Sequence, residues 1–226
     1  MKYPHHLLIM AMVAFLAGSC KKSTVAVSPL ASLNITNVVV GGKAVKLNSN
    51  LVDSAAAYNF KAFGLNAGST TSVYVYPTGD STHPYFNNAM ATSNGGVYSL
   101  FLAGNLATQV DTIFVRETIP VRTDSSCGVR FAHLSYNSSP IVVTLSTSTT
   151  VNEFALSYKE ISSFKTYPAL STNGTYTMQV RDAGTNTILA TYSLTSPRFF
   201  YCTLIWKGMK GGTGTSVPGV LRVNNY

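Results

Sequence analysis

The sequence predicts an all-β protein: two tandem immunoglobulin-like β-sandwich domains behind a signal peptide and a short tether. Three observations predict it. Short runs of alternating apolar and polar residues are separated by Gly, Asn, Ser and Pro, with little helical periodicity, which is the pattern of a sandwich or barrel. The runs recur once along the chain, so the fold is a repeated unit. Each copy is about 90–100 residues long, near the ~100 of an immunoglobulin-like sandwich.

The first element is an export signal over residues 1–19. Lys2 precedes an uninterrupted apolar run, Leu7 to Ala17, too short for the ~20 residues of a bilayer span but suited to a signal-peptide core. Ala17-Gly18-Ser19 then precede Cys20. Ala17-x-Ser19 meets the small-x-small rule of ordinary signal peptidase. A-G-S-C also resembles the lipobox of bacterial lipoproteins, with Ala17 where leucine is usual and Leu16 one place further out. A cysteine directly at the cut site favours lipidation at Cys20, with the membrane as partner through its acyl chains. Each buried methylene contributes about 0.8 kcal/mol, so several chains hold where one dissociates. Lys21-Lys22 stand where aspartate would resemble an inner-membrane retention signal, and this leans towards the outer membrane.

Residues 20–31 (CKKSTVAVSPLA) read as the tether. The first sandwich is expected over 32–120 and the second over 127–226, with the polar "PVRTDSSCG" (120–128) between them. "LNITNVVV" (33–40) corresponds to "VRFAHLSY" (129–136), "VYVYPTGDST" (73–82) to "MQVRDAGTNT" (178–187), and "YSLFLAG" (98–104) to "YCTLIWKG" (201–208). Each copy closes on a further strand, "TIFVRE" (112–117) and "GVLRVN" (219–224). Val151 to Leu156 is expected to form one helical turn at most.

In "TYTMQVRDAGTNTILATYSL" (175–194), Tyr176, Met178 and Val180 share one face, and Ile188, Ala190, Tyr192 and Leu194 continue it after the turn. Asp182–Asn186 is therefore a hairpin corner, in which Gly184 is expected to supply a positive φ. "GMKGGTGTS" (208–216) is not a phosphate loop, because its lysine precedes the glycines and a strand follows; it reads as a flexible hairpin loop.

Charged residues make up 11% of the 226-residue chain and the formal charge is +8, against roughly 25% charged in a typical soluble domain. Export, and the lack of a Lys/Arg cluster beyond Lys21-Lys22, argue against nucleic acid. The balance is better read as affinity for anionic envelope surfaces or polymers. Removing the signal leaves His83 and His133 as the only histidines, so no metal site and no cofactor is expected. Cys127 and Cys202 remain in an oxidising compartment, where they form a possible disulfide whose Cα separation sequence does not supply.

No catalytic residues are expected. The carboxylates are scattered singly, without a paired acid and base; a hydrolase with a non-local site around His83 and Asp80 is the alternative from another class. The aromatics carry more. Tyr74 and Tyr76 alternate with Val73 and Val75 and so face away from the core, where the second copy has Gln179 and Arg181. The same hairpin expands into "PTGDSTHPYF" (77–86), adding His83, Tyr85 and Phe86. Exposed rings with polar neighbours hold flat amphipathic ligands such as sugars, and tyrosines can equally cover a domain contact or line a strand. Tyr74, Tyr76, His83 and Tyr85 are the candidate ligand-binding residues.

The second copy carries "VRFAHLSYNSSPIVVTLS" (129–146), "FALSYKEISSFKTYPALSTNGTYTMQVRDAGTNTILA" (154–190) and "FFYCTLIW" (199–206). Together these resemble a domain-of-unknown-function family of secreted bacterial Ig-like modules. His133, Ser135, Pro140, Gly174, Tyr176, Val180 and Gly184 match its pattern, whereas Asn137-Ser138-Ser139 stands where the family has an acidic residue. The resemblance implies tandem, lipid-anchored modules without assigned activity, and a structural, turn-bonding His133. The expected function is a non-catalytic binding, adhesion or structural module of the cell envelope, facing periplasm or surface, with envelope glycans or other surface proteins as partners. The alternative is a carbohydrate-binding accessory lipoprotein of a polysaccharide-uptake system.

Overall fold

A computed structural model describes residues 28–170, 174–195 and 198–225. The signal peptide, Cys20 and most of the expected tether lie outside them. Among the described residues the regular structure is strand, apart from a short 3₁₀ turn at Gly214–Ser216. The all-β sandwich expectation holds.

In the first half, β1 (Leu30–Asn37), β3 (Asn59–Asn66), β6 (Val97–Asn105) and β7 (Gln109–Arg116) form a sheet ordered β3-β1-β6-β7. Facing it is a sheet ordered β2-β4-β5, made from β2 (Val45–Leu47), β4 (Thr71–Pro77) and β5 (Phe86–Met90). Leu33, Ile35, Val73, Val75, Leu100 and Leu102 fill the space between them.

The second half repeats the plan with one strand more. β8 (Ser126–His133), β11 (Lys165–Pro168), β14 (Tyr201–Lys207) and β15 (Gly219–Asn224) form a sheet ordered β11-β8-β14-β15. β9 (Ile141–Leu145), β10 (Ser148–Leu156), β12 (Thr175–Asp182) and β13 (Ile188–Thr195) form its partner, ordered β10-β9-β12-β13. Val129, Phe131, Met178, Val180, Leu204 and Trp206 lie between these sheets.

β10 (Ser148–Leu156) covers Val151–Leu156, where the sequence allowed one helical turn at most. The β-branched run Thr149-Thr150-Val151 favours strand, and the strand pairs with β9 through two register shifts.

Strand order departs from the immunoglobulin arrangement, in which the sheets run ABED and CFG. Here the first strand of each half is central: β1 pairs antiparallel with β3 and parallel with β6, and β8 does the same with β11 and β14. The reason lies in burial. Leu33 and Ile35 face one core while Asn34 and Thr36 on the opposite face are also buried. A strand covered on both faces belongs inside a sheet.

What covers that second face is the other half. Val38, Phe101 and Ala103 pack against Ala132, Leu134 and Ile205 in a third cluster. The contact is nearly isologous: Val38 and Leu134 occupy the same place in their repeats, each donating its backbone N–H to the carbonyl beside it, Leu102 and Trp206. Across the seam, Arg130 Nη1 and Nη2 reach Glu117 Oε2 and Oε1 at 3.0 and 2.5 Å. The two side chains are only 6% and 2% exposed. Arg130 Nε also donates to Thr203 at 2.9 Å, and Thr203 to Asn225 at 2.7 Å, so every nitrogen of the buried guanidinium has a partner.

Candidate functional site

The expected ligand face is the outer surface of the β2-β4-β5 sheet, remote from the seam between the halves. Val73 and Val75 enter the core, so β4's alternation turns Tyr74 and Tyr76 outward. Both are half-buried, with ring centroids 5.6 Å apart and planes tilted 43°. Lys46 lies beside Tyr76 in register, and exposed Asn87 beside Tyr74. The Tyr74 hydroxyl donates to the Ser81 carbonyl, so the expanded loop braces the ring. The result is a short aromatic step with a lysine and an asparagine beside it, the Lys46 ammonium donating to the Leu51 carbonyl at 2.6 Å.

The other two candidates separate from this step. Tyr85 is buried at 8% exposure within the first core. Its hydroxyl accepts from the Lys43 N–H at 3.3 Å. The expected exposure of Tyr85 is thus corrected: its N–H bonds the Val75 carbonyl, which seats the ring over the valine side of the sheet. Phe86 stacks on Phe114, also away from the step.

His83 stays at the loop tip, its side chain 83% exposed and 2.8 Å from Asp80 Oδ2. Hydrogen bonds from Thr82, then His83, draw the Asp80 carboxyl down to about 2. Both Asp80 and the Thr82 hydroxyl approach His83 Nδ1. A catalytic relay divides these contacts, holding a carboxylate on one ring nitrogen and a nucleophile on the other. Here they close a turn. Among the described residues no three His, Cys, Asp or Glu side chains gather as a metal site.

Cys127 and Cys202 are both buried thiols on the core side of the β11-β8-β14-β15 sheet, and the possible disulfide is not formed. The parallel register sets Cys202 opposite Val129, not opposite Cys127. A two-residue stagger on neighbouring strands separates Cα atoms by roughly 8 Å, outside the usual disulfide range of about 4.4–6.8 Å. Burial pushes the Cys202 thiol up to about 11.

At the loop end of the second half, the last residue of β8 and two other connections bond to the β8–β9 connection. His133 Nε2–H donates to the Ser139 carbonyl at 3.0 Å, Ala183 N–H to Pro140 at 2.9 Å, and Lys210 N–H to Tyr136 at 3.3 Å. His133 is fully buried, which holds its imidazole below the ordinary pKa and keeps it neutral. The expected structural role for this histidine matches what it does here.

The hairpin corner differs from expectation in detail. Positive φ is carried by Asn186 (58°), not by Gly184. Asp182 Oδ1 shapes the turn instead, accepting from the N–H groups of Gly184 and Thr185 at 3.0 and 2.9 Å. Those amides hold its carboxyl below the ordinary value. The glycine-rich loop is likewise folded on itself, with Met209 N–H on the Ser216 carbonyl and Gly212 N–H on Met209, both at 2.9 Å. A Cβ on Gly212 would meet the Ser216 oxygen at 2.3 Å, so glycine here permits close packing.

Between hairpin, β8–β9 connection and glycine-rich loop lies a cavity of about 310 Å³, bordered by Trp206, Asp182, Leu189, Lys210, Val217 and Pro218 among others. Sequence reading missed it, because these residues come from strands β12, β13 and β14 and from two loops that only the closed sandwich brings together. No family model and no curated protein matches this chain.

Proposed function

We propose that this protein is an exported, lipid-anchored module of the bacterial cell envelope that binds without catalysing. In this reading Cys20 carries the acyl chains and 1–19 is removed. The protein stands at the outer membrane, and its partners are envelope glycans or other surface proteins. Location rests on the apolar run Leu7–Ala17 ending in A-G-S-C. The resemblance of the second half to tandem secreted modules of unknown function points the same way.

The single observation that carries binding is the Tyr74–Tyr76 step. Two tyrosine rings stand side by side on the outer face of a sheet whose other face is sealed core, with Lys46 and Asn87 beside them. Rings of this kind cover the apolar face of a pyranose while the flanking polar groups take its hydroxyls. This favours glycans over an apolar protein partner, and so favours the accessory role in polysaccharide capture. Against a hydrolase stands the loop-closing geometry of Asp80, Thr82 and His83, which spends both contacts on one ring nitrogen.

A glycan array probed with the mature protein tests the ligand. Binding should appear and should vanish in Tyr74→Ala/Tyr76→Ala; an array without signal removes the glycan reading. Metabolic palmitate labelling tests the anchor. Label should enter the wild type and be lost in Cys20→Ser, and an unlabelled wild type refutes it.

A further inference from the structure

We infer that the end of the protein at which the tether enters is a docking surface for the anionic bilayer that holds the acyl chains. The inference rests on the lipid anchor proposed at Cys20, and it concerns a further contact, made by the folded body itself.

The topology gathers this end from both halves. Leu30 opens β1, with its N–H on Asn94 Oδ1 at 3.0 Å and its carbonyl taking the Gly95 N–H at 2.7 Å. A depression of about 560 Å³ runs from Asn94 and Gly95 past Arg116, the last residue of β7, to Val121 and Phe199. The Phe199 N–H donates to the Ser126 carbonyl at 2.9 Å, and the Ala169 N–H to Ser125 at 2.8 Å, so the start of β8 and Leu170 lie on the same side.

Three large apolar side chains stand in solvent here: Val121 is 92% exposed, Leu30 56% and Phe199 55%. Phe199 has a φ of 61°, costly for a bulky residue, and the outward ring recovers nothing by burial. Arg116 and Arg198 are exposed among them, Arg198 Nε donating to the Ala169 carbonyl at 3.1 Å. The acidic groups do not cancel this charge. Both Glu117 oxygens are taken by Arg130 and its side chain is 2% exposed, while Asp124 lies 3.8 Å from Arg122. Apolar side chains interspersed with arginines suit the boundary of headgroups and acyl chains, hydrocarbon inward and guanidinium on phosphate.

Chain length selects a bilayer over a protein partner. Leu30 is ten residues past Cys20, a reach of at most roughly 36 Å. Lys21 and Lys22 add positive charge beside the anchor. A tethered surface meets its partner at high effective concentration, so a modest contact suffices. Docking also orients the tyrosine step. Leu30 lies opposite Asn66, which puts the connection from β3 to β4 at this end. β4 therefore runs away from the bilayer, and the loop that braces Tyr74 through Ser81 faces outward.

The experiment sediments the mature chain carrying Cys20→Ser, which has no acyl group, with vesicles of phosphatidylglycerol and phosphatidylethanolamine in equal parts. Phosphatidylcholine vesicles run in parallel. Half of the chain should bind near ~1 mM anionic lipid, weaker than a single acyl chain at about 10⁴ M⁻¹, and severalfold less should bind phosphatidylcholine. Val121→Ser with Phe199→Asn should weaken binding about tenfold at urea midpoints no lower than the parent's, since asparagine accepts a positive φ. Arg116→Gln should weaken it about fivefold, and Tyr74→Ala/Tyr76→Ala should leave it unchanged. No sedimentation with the anionic vesicles overturns the inference. So does binding that survives Val121→Ser/Phe199→Asn, because Lys21 and Lys22 then account for it. An unlabelled wild type in the palmitate experiment refutes the anchor by itself, while sedimentation of the acyl-free chain still decides the surface.

Discussion

Asn37 and His133 perform the same task in the two halves. Each is fully buried at the end of its half's first strand. Each side chain donates to the backbone carbonyl six residues further on, Asn37 to Lys43 at 2.8 Å and His133 to Ser139 at 3.0 Å. One copy of the repeat pins its first connection with an amide, the other with an imidazole. That imidazole N–H is a structural donor, and histidine brings a pH dependence that asparagine does not.

The first prediction follows from that difference. Burial lowers the pKa of His133 in the folded chain below its ordinary 6.5. Between the two values the unfolded chain binds more protons than the folded one, so stability rises with pH there and is complete above about 6.5. Urea midpoints should therefore fall as pH drops from 7 towards 5. His133→Asn, the first copy's own solution, should flatten that slope, and a slope equal to the wild type's would contradict the role assigned to His133.

The second concerns the seam. Breaking a buried ion pair from one side costs about 3–5 kcal/mol, because the remaining charge stays desolvated. Glu117→Gln and Arg130→Met should each destabilise by about that amount, while the pair replaced together should recover much of it. Calorimetry should show one cooperative transition in the wild type, since Phe101, Leu134 and Ile205 make one half's outer face the other half's cover.

The tyrosines provide a third. Tyr85→Ala empties a core position and should cost about 3 kcal/mol. Tyr74→Ala, on the outer face, should cost about 1 kcal/mol or less. Equal losses in denaturant titrations would contradict the placement of these rings.

The fourth concerns the thiols. With its pKa raised by burial, Cys202 should resist iodoacetamide at pH 8 in the folded protein and react once the chain is unfolded, without prior reduction. Peptide mass mapping distinguishes this from a Cys127–Cys202 bridge, which would leave Cys202 unlabelled until reduced.

The fifth concerns two glycines that the repeat places alike, Gly104 near the end of β6 and Gly208 just after β14. Gly104 and Gly208 have φ of 85° and 99°, and a Cβ on them would meet the Gln109 and Val217 carbonyl oxygens at 2.3 and 2.6 Å. Alanine at either should cost more than about 2 kcal/mol by thermal denaturation, since strain and collision add.

Much of this was legible in the chain because it is local. Alternation at Val73-Tyr74-Val75-Tyr76 separates inside from outside with no knowledge of the partner strand, and recurrence of Gly104 at Gly208 marks the repeat. Tyr85 was not legible: its burial depends on the path of a loop, to which a period of two does not apply. The cavity was less so, since Asp182 ends β12, Trp206 lies in β14 of the other sheet and Lys210 belongs to the loop after it.

The sequence by itself determined most of the strands, their inward and outward faces and the recurrence of the unit, because each is written in neighbouring residues. Tertiary structure alone decided the central place of β1 and β8, the separation of Cys127 from Cys202, the Glu117–Arg130 seam and the cavity beside Trp206. These depend on register and on which sheet covers which, and such pairings are set by packing between segments far apart in the chain.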